Sequence, residues 1–300
     1  MSRTKIFVAA ALFAALALAT ASAQAVSFTD ARGQTLRLPG KAVRVVSLSP
    51  ALTEILYAAG GGKAAVGVTS YCNFPAEADA LPEIGGYSPN TISVEAIVAL
   101  RPDLVIGELS AHGRLAEQLA AAGLRFAAFN LRDFNAIYEA MLQLGSVAGD
   151  GSVALRQVNA IKARLAAVAV TIAGVPASAR PLVFWEVWDE PLMTAGPNTF
   201  IAQVLAAAGA RHAFADVTQD WPVISFEDIV MRKPDLIMAS DTHGVALSPE
   251  KLAARPGWSS LAAVRDRRIV LLNGDIVSRP GPRFIEAVEL AAKALYPDRF

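Results

Sequence analysis

Ser93-Val94-Glu95-Ala96-Ile97-Val98-Ala99-Leu100-Arg101-Pro102-Asp103-Leu104-Val105-Ile106 returns, 132 positions later, as Ser225-Phe226-Glu227-Asp228-Ile229-Val230-Met231-Arg232-Lys233-Pro234-Asp235-Leu236-Ile237-Met238. In each copy a serine stands where a helix is capped, Pro-Asp ends the helix, and a buried strand starts at once. A helix–strand unit repeated at this distance implies two similar lobes. Each copy also carries one glutamate, Glu95 or Glu227, in the first helical turn. A carboxylate there answers the helix's positive end, a gain of about 0.3–1 kcal/mol. One exposed acid per lobe also makes a matched pair for a partner with two-fold symmetry. The residues alone leave both readings open.

Around the first copy, apolar strands alternate with helices. Strands are expected over 43–48, 65–69, 104–106 and 126–129, and helices over 53–59, 94–100, 114–122 and 135–147. Such interleaving builds a mainly parallel sheet covered on both faces. Upstream, Val26-Ser27-Phe28 and Leu36-Arg37-Leu38 alternate around Asp30-Ala31-Arg32-Gly33, the pattern of a hairpin that turns at glycine. Between the copies the pattern changes. Val158, Ile161, Leu165, Val168 and Ile172 recur at helical spacing over 151–172, with neither proline nor glycine after Gly151. At 1.5 Å per residue this helix is about 30 Å long, enough to act as a rigid connector. Beyond it, strands are expected over 182–187, 236–239 and 269–272, and helices over 199–208, 226–231 and 282–295.

The N-terminus has the form of an export signal. Arg3 and Lys5 precede an apolar run over 6–19, and small residues follow, with cleavage expected near residue 23 or 25. The run is shorter than the roughly 20 residues that cross a bilayer. Cleavage removes two of 27 basic side chains against 27 acidic ones, which leaves a net charge of about −2 and no basic patch for nucleic acid. The single cysteine, Cys72, excludes an internal disulfide. The expected organisation is a signal peptide over 1–25, an N-terminal α/β lobe over 26–149, a connecting helix over 150–173 and a C-terminal α/β lobe over 174–300. The fold class is thus α/β, two lobes with mainly parallel sheets flanked by helices, joined by a single long helix that permits only small hinge motion.

Val45-Val46-Ser47-Leu48-Ser49-Pro50-Ala51-Leu52-Thr53-Glu54, Gly67-Val68-Thr69-Ser70-Tyr71, the two Pro-Asp-Leu segments and Trp221-Pro222 are similar to the periplasmic binding proteins for vitamin B12, haem and iron-siderophores. The resemblance covers the whole mature chain and is nearest to the vitamin B12 binders. It implies a non-enzymatic, monomeric periplasmic protein that passes its ligand to the permease dimer of an ABC importer in the inner membrane. Glu95 and Glu227 would be the docking glutamates. Ligand would be touched by Ser49, Pro50, Ala51 and Tyr71 from the first lobe. From the second lobe Trp221, Asp275 and Arg279 are nominated. Tyr87 and Trp188, both expected at strand ends, complete the candidates, because aromatic faces suit a flat macrocycle with an apolar rim and amide arms. Trp185, inside a strand, is read as core.

Two departures stand out. Where the vitamin B12 binder carries a tryptophan after the first Pro-Asp-Leu strand, this chain has Glu108, and Tyr87 replaces another cleft tryptophan. The expected cargo is a corrinoid, with no resident cofactor and no metal held by the protein itself. Haem, with Tyr71 or His112 as axial ligand, or a ferric siderophore is the alternative within the family. Cys72 reads as a small buried residue, and His112, His212 and His243 lie too far apart for a metal motif. Gly60-Gly61-Gly62 follows a helix and is a stop, not a phosphate loop. A secreted hydrolase is the remote alternative, and it would leave the paired segments without a purpose.

Overall fold

The computed structural model describes residues 25–240 and 248–300; the expected signal peptide up to residue 24 and His243 lie outside the described residues. The first half runs β1 (Val26–Thr29), β2 (Thr35–Leu38), β3 (Val45–Ser47), α1 (Pro50–Ala58), β4 (Ala65–Gly67), α2 (Ala76–Asp79), α3 (Val94–Ala99), β5 (Leu104–Glu108), α4 (Leu109–His112), α5 (Ala116–Ala121), β6 (Phe126–Phe129) and α6 (Phe134–Val147). The connecting helix is α7 (Gly151–Ile172). The second half runs β7 (Leu182–Asp189), β8 (Leu192–Thr194), α8 (Phe200–Ala207), β9 (Arg211–His212), α9 (Phe226–Arg232), β10 (Leu236–Ser240), α10 (Pro249–Ala254), α11 (Ala262–Arg265), β11 (Ile269–Leu272), α12 (Gly274–Val277) and α13 (Phe284–Leu295).

Each half holds its own sheet. The first has strand order β4-β3-β5-β6, all parallel. The second has order β11-β10-β7-β8, parallel except for β8, with β9 also beside β7. β3, β5, β6 and β10 are buried along their whole length, as strands covered on both faces must be.

The duplicated segments fold alike. The Ser93 hydroxyl accepts from Ala96 N–H and the Ser225 hydroxyl from Asp228 N–H, each at 3.1 Å. Both helices then turn through a left-handed residue, Arg101 at φ 47° and Lys233 at φ 52°. The aspartate after each proline ties down the start of a neighbouring strand. Asp103 accepts from the N–H groups of Val43 and Arg44 at 2.9 and 3.1 Å, and Asp235 accepts from Leu182 N–H at 2.7 Å. Pro-Asp therefore ends a helix and anchors the sheet in one step.

Helix α7 buries Ala154, Val158, Ile161, Val168 and Ile172 along one stripe, and its N-cap Asp150 accepts from Ser152 N–H at 2.7 Å. It is not the only tie between the halves. Helix α13 packs on α7 and brings Phe284 against Phe134 of α6, with ring centroids 4.0 Å apart, so one apolar core runs from β3 to α13. Three departures from expectation bear on the frame of the molecule. Helix α1 starts at Pro50 rather than residue 53, because Ser49 caps it and proline suits the first helical turn. Strand β7 runs on to Asp189 because β8 turns back and pairs with its end, so Trp188 lies in a strand and not in a loop. The last helix starts at Phe284, two residues after the expected position.

Phe284 is fully buried at the junction of the halves. Phe284→Ala is expected to lower the free energy of unfolding by about 3–5 kcal/mol, the range for a buried aromatic cut to alanine. Urea titration checks this; a loss below about 1 kcal/mol would show that the junction carries little of the stability.

Candidate functional site

Ligands of parallel α/β sheets lie beyond the carboxyl ends of the strands. Here the segments after β3, β4, β5 and β11 converge on one open cavity of about 1130 Å³. That exceeds the roughly 300–1,000 Å³ of ordinary small-molecule pockets, so the space suits a large ligand. Pro50, Ala51, Tyr71, Tyr87 and Glu108 line it from the first half, and Asp275 and Arg279 from the second. Tyr71 is 58 % exposed and Tyr87 37 %, large apolar faces left open to the cavity. Ser49 lies buried just beneath the wall.

A buried carboxylate joins the two sides below the cavity. Glu54, on α1, has a side chain only 1 % exposed and receives two hydrogen bonds from Arg283, at 2.6 and 2.9 Å, and a longer one from Arg279 at 3.4 Å. Arg279 also donates to Asp275 at 2.6 Å, to the Asn73 side chain at 2.7 Å and to the carbonyl of Tyr71 at 3.1 Å. Asn73 in turn donates to Asp275 at 2.8 Å. The loop that carries Tyr71 is thus fastened to the opposite half. Arg279 and Asp275 stand on the cavity wall, and they also act as struts between the halves.

A second polar group sits at the end of β5. Glu108 accepts a hydrogen bond from the Ser49 hydroxyl, and the Tyr87 phenol lies close enough for the two groups to shift each other's titration. Burial pushes its carboxyl above the ordinary value of 4.5, although the Ser49 hydroxyl and the Tyr87 phenol pull the other way. Burial also raises the Tyr87 phenol, with the Glu108 charge adding to it. His112 is fully buried; its Nδ1 accepts the Glu108 N–H at 3.1 Å and its Nε2 meets the Tyr87 carbonyl at 2.9 Å. The ring therefore carries its proton on Nε2 and is neutral, and burial holds its pKa low. With both nitrogens engaged, His112 is closed to an axial role. Cys72 is buried behind the wall, its sulfur 3.3 and 3.2 Å from the hydroxyls of Thr53 and Thr69. Among the described residues no group of three or more His, Cys, Asp or Glu side chains is placed to hold a metal ion.

The tryptophans divide. Trp185 is 1 % exposed, in the core. Trp188 and Trp221 are 42 % and 49 % exposed but are not part of the cavity wall. Trp188 donates its indole N–H to the Glu190 carbonyl at 2.8 Å, and Trp221 precedes Pro222, whose carbonyl accepts from Thr194 of β8. Glu95 and Glu227 are both exposed. Each heads a helix whose far end leads into a parallel strand, so both stand on the level of the strand ends where the cleft opens. Sequence reading missed Glu54, Asn73 and Arg283. An acid in the apolar helix α1 was the only local signal.

Two lobes, one cleft at the strand ends and a single long connecting helix define a ligand-capturing protein. A model of periplasmic binding proteins matches residues 45–276, and the chain belongs to that family. It is 32 % identical over 280 residues to an uncharacterized ABC transporter substrate-binding lipoprotein of Bacillus subtilis, covering 92 % of this chain and 87 % of the relative. It is 31 % identical over 255 residues to the vitamin B12-binding protein of Salmonella paratyphi A, covering 85 % and 90 %. Its fold is similar to that of the periplasmic haem-binding protein of Roseiflexus sp. RS-1, with a TM-score of 0.75, 28 % identity, and coverage of 86 % of this chain and 99 % of that one. Members of the family are substrate-binding proteins of ABC importers and not enzymes; they bind small ligands and work with a membrane permease.

Because the folded-state pKa of Glu108 lies above 4.5, folding takes up a proton between the two values. Its contribution to stability is full below the unfolded value and is lost as pH rises through the folded one. Glu108→Gln should therefore gain stability relative to wild type as pH rises from about 4 to about 8. Unfolding curves across that range check the sign; a constant or shrinking difference would contradict it.

Proposed function

We propose that the chain is exported with loss of its N-terminal segment, works as a periplasmic monomer, captures a corrinoid of the vitamin B12 type in the cleft, and delivers it to the permease dimer of an ABC importer. The observation that carries this reading is the large open cavity with Tyr71 and Tyr87 on its wall. A corrinoid offers a flat, apolar-rimmed ring to such faces, each worth about 0.5–1.5 kcal/mol beyond area burial, and its amide arms meet fixed polar groups. The vitamin B12-binding relative supports the same choice. The corrinoid is cargo and not a resident cofactor. Haem is the competing cargo, favoured by the haem-binding neighbour and by the open phenol of Tyr71.

Titration of the purified chain with cyanocobalamin, with hemin and a ferric siderophore in parallel, tests the cargo. One-to-one binding of cyanocobalamin alone is expected. Binding of hemin alone, with a shifted absorption band, would replace corrinoid by haem.

Docking is proposed to rest on Glu95 and Glu227, which leave the cavity wall free. Replacing both with alanine is expected to abolish uptake in cells while ligand affinity stays within about twofold, since sites without shared partners act independently. A collapse of affinity would move these residues into the binding site instead.

A further inference from the structure

Three glutamates are buried among the described residues, and two of them have cations. Glu54 is held by Arg283 and Arg279, and Glu186 is paired with Arg255 at 2.7 and 3.0 Å. Glu108 differs. It lines the cavity, yet its hydrogen-bond partner is the Ser49 hydroxyl, with the Tyr87 phenol close by, and among the described residues it forms no ion pair. The nearby imidazole of His112 is neutral, because its Nδ1 accepts a backbone N–H. Buried carboxylates are ordinarily compensated by a cation or by several donors. What the protein omits at Glu108, the contents of the cleft are placed to supply.

We propose that Glu108 is a specificity-determining residue, an acceptor on the cleft wall that selects ligands presenting N–H donors, such as primary carboxamides, and rejects ligands presenting carboxylates there. Its location supports this role. It ends β5 in the middle of the first sheet, and the Ser49 hydroxyl fixes one carboxyl oxygen. An N–H donor arriving from the cavity completes its coordination. A carboxylate arriving there adds a second acid beside a carboxyl group whose charge burial already disfavours. A purely apolar edge leaves the carboxylate uncompensated, so the residue discriminates by chemistry where the tyrosines discriminate by shape.

The choice of probe rests on the corrinoid reading, and the test separates the two ideas. Cyanocobalamin is compared with its purified monocarboxylate isomers, in each of which one amide arm is hydrolysed. Wild type should bind at least one isomer about tenfold or more weakly than cyanocobalamin, the scale of a lost hydrogen bond to a charged group. Glu108→Gln should bring that isomer back to within about twofold of cyanocobalamin. Equal affinity for all isomers in wild type, or a penalty that survives Glu108→Gln, overturns the assignment. The wild-type comparison does not depend on the variant folding. If cyanocobalamin does not bind, the corrinoid reading fails by itself, and hemin against its dimethyl ester reads the same residue. Preference for the neutral ester that Glu108→Gln removes supports the role of Glu108, and absence of any preference overturns it.

Discussion

The carboxylate of Glu54 is the constraint on which the cleft depends. It sits on an apolar helix of the first lobe, almost wholly removed from water, and both of its arginines come from the second lobe. A charge so buried is tolerable only while paired, and loss of one partner of such a pair costs about 3–5 kcal/mol because the other charge is left behind. The two lobes are therefore tied together at the cavity floor. Arg279 extends the lock to the Tyr71 carbonyl, Asn73 and Asp275, so the loops that line the cavity are oriented before any ligand arrives. Preorganised walls reduce the ordering cost of binding.

The same logic holds away from the cleft. The connecting helix and α13 share one apolar core with α6, and Phe284 and Phe134 stack at the point where the lobes meet. A connector alone would leave two bodies on a rod. The added aromatic and ionic contacts join the lobes at two levels, the helix layer and the cavity floor. On this frame the duplicated helix–strand units hold Glu95 and Glu227 at corresponding places on the two lobes, and a partner engaging both would meet a fixed spacing.

Much of this was legible in the sequence, and the exceptions have physical reasons. The repeat around Pro102-Asp103 and Pro234-Asp235 announced two lobes because proline, aspartate and a serine cap act locally, within a few residues. The stripe Val158, Ile161, Leu165, Val168, Ile172 announced the connector for the same reason. Glu54 and Arg283 are 229 positions apart, and no spacing rule links residues that meet only through the tertiary fold. The hairpin of β7 and β8 was invisible because β8 has three residues, too few for a period to register. Trp221 and Trp188 read as cleft aromatics by position in sequence; Trp188 pairs with Met193 of β8, Asp220 and Pro222 on either side of Trp221 bond to Gly196 and Thr194, and neither tryptophan lines the cavity. Glu108 stood out as a departure from a family pattern; its missing counter-charge became visible only when its neighbours could be counted.

Stiffness between the lobes is the central claim, and a distance across the cleft tests it most directly. Spin labels on cysteines replacing the exposed Glu117 and Asp266, one on each lobe, can be read by pulsed dipolar spectroscopy without interference from Cys72, which is buried. A locked cavity requires that the distance change by less than about 2 Å when cyanocobalamin is added to saturation, within the range of preorganised complexes. A shift of many ångströms, or a broad distribution before addition that narrows afterwards, would mean that the lobes move as hinged bodies and that the Glu54 contact does not hold the cleft.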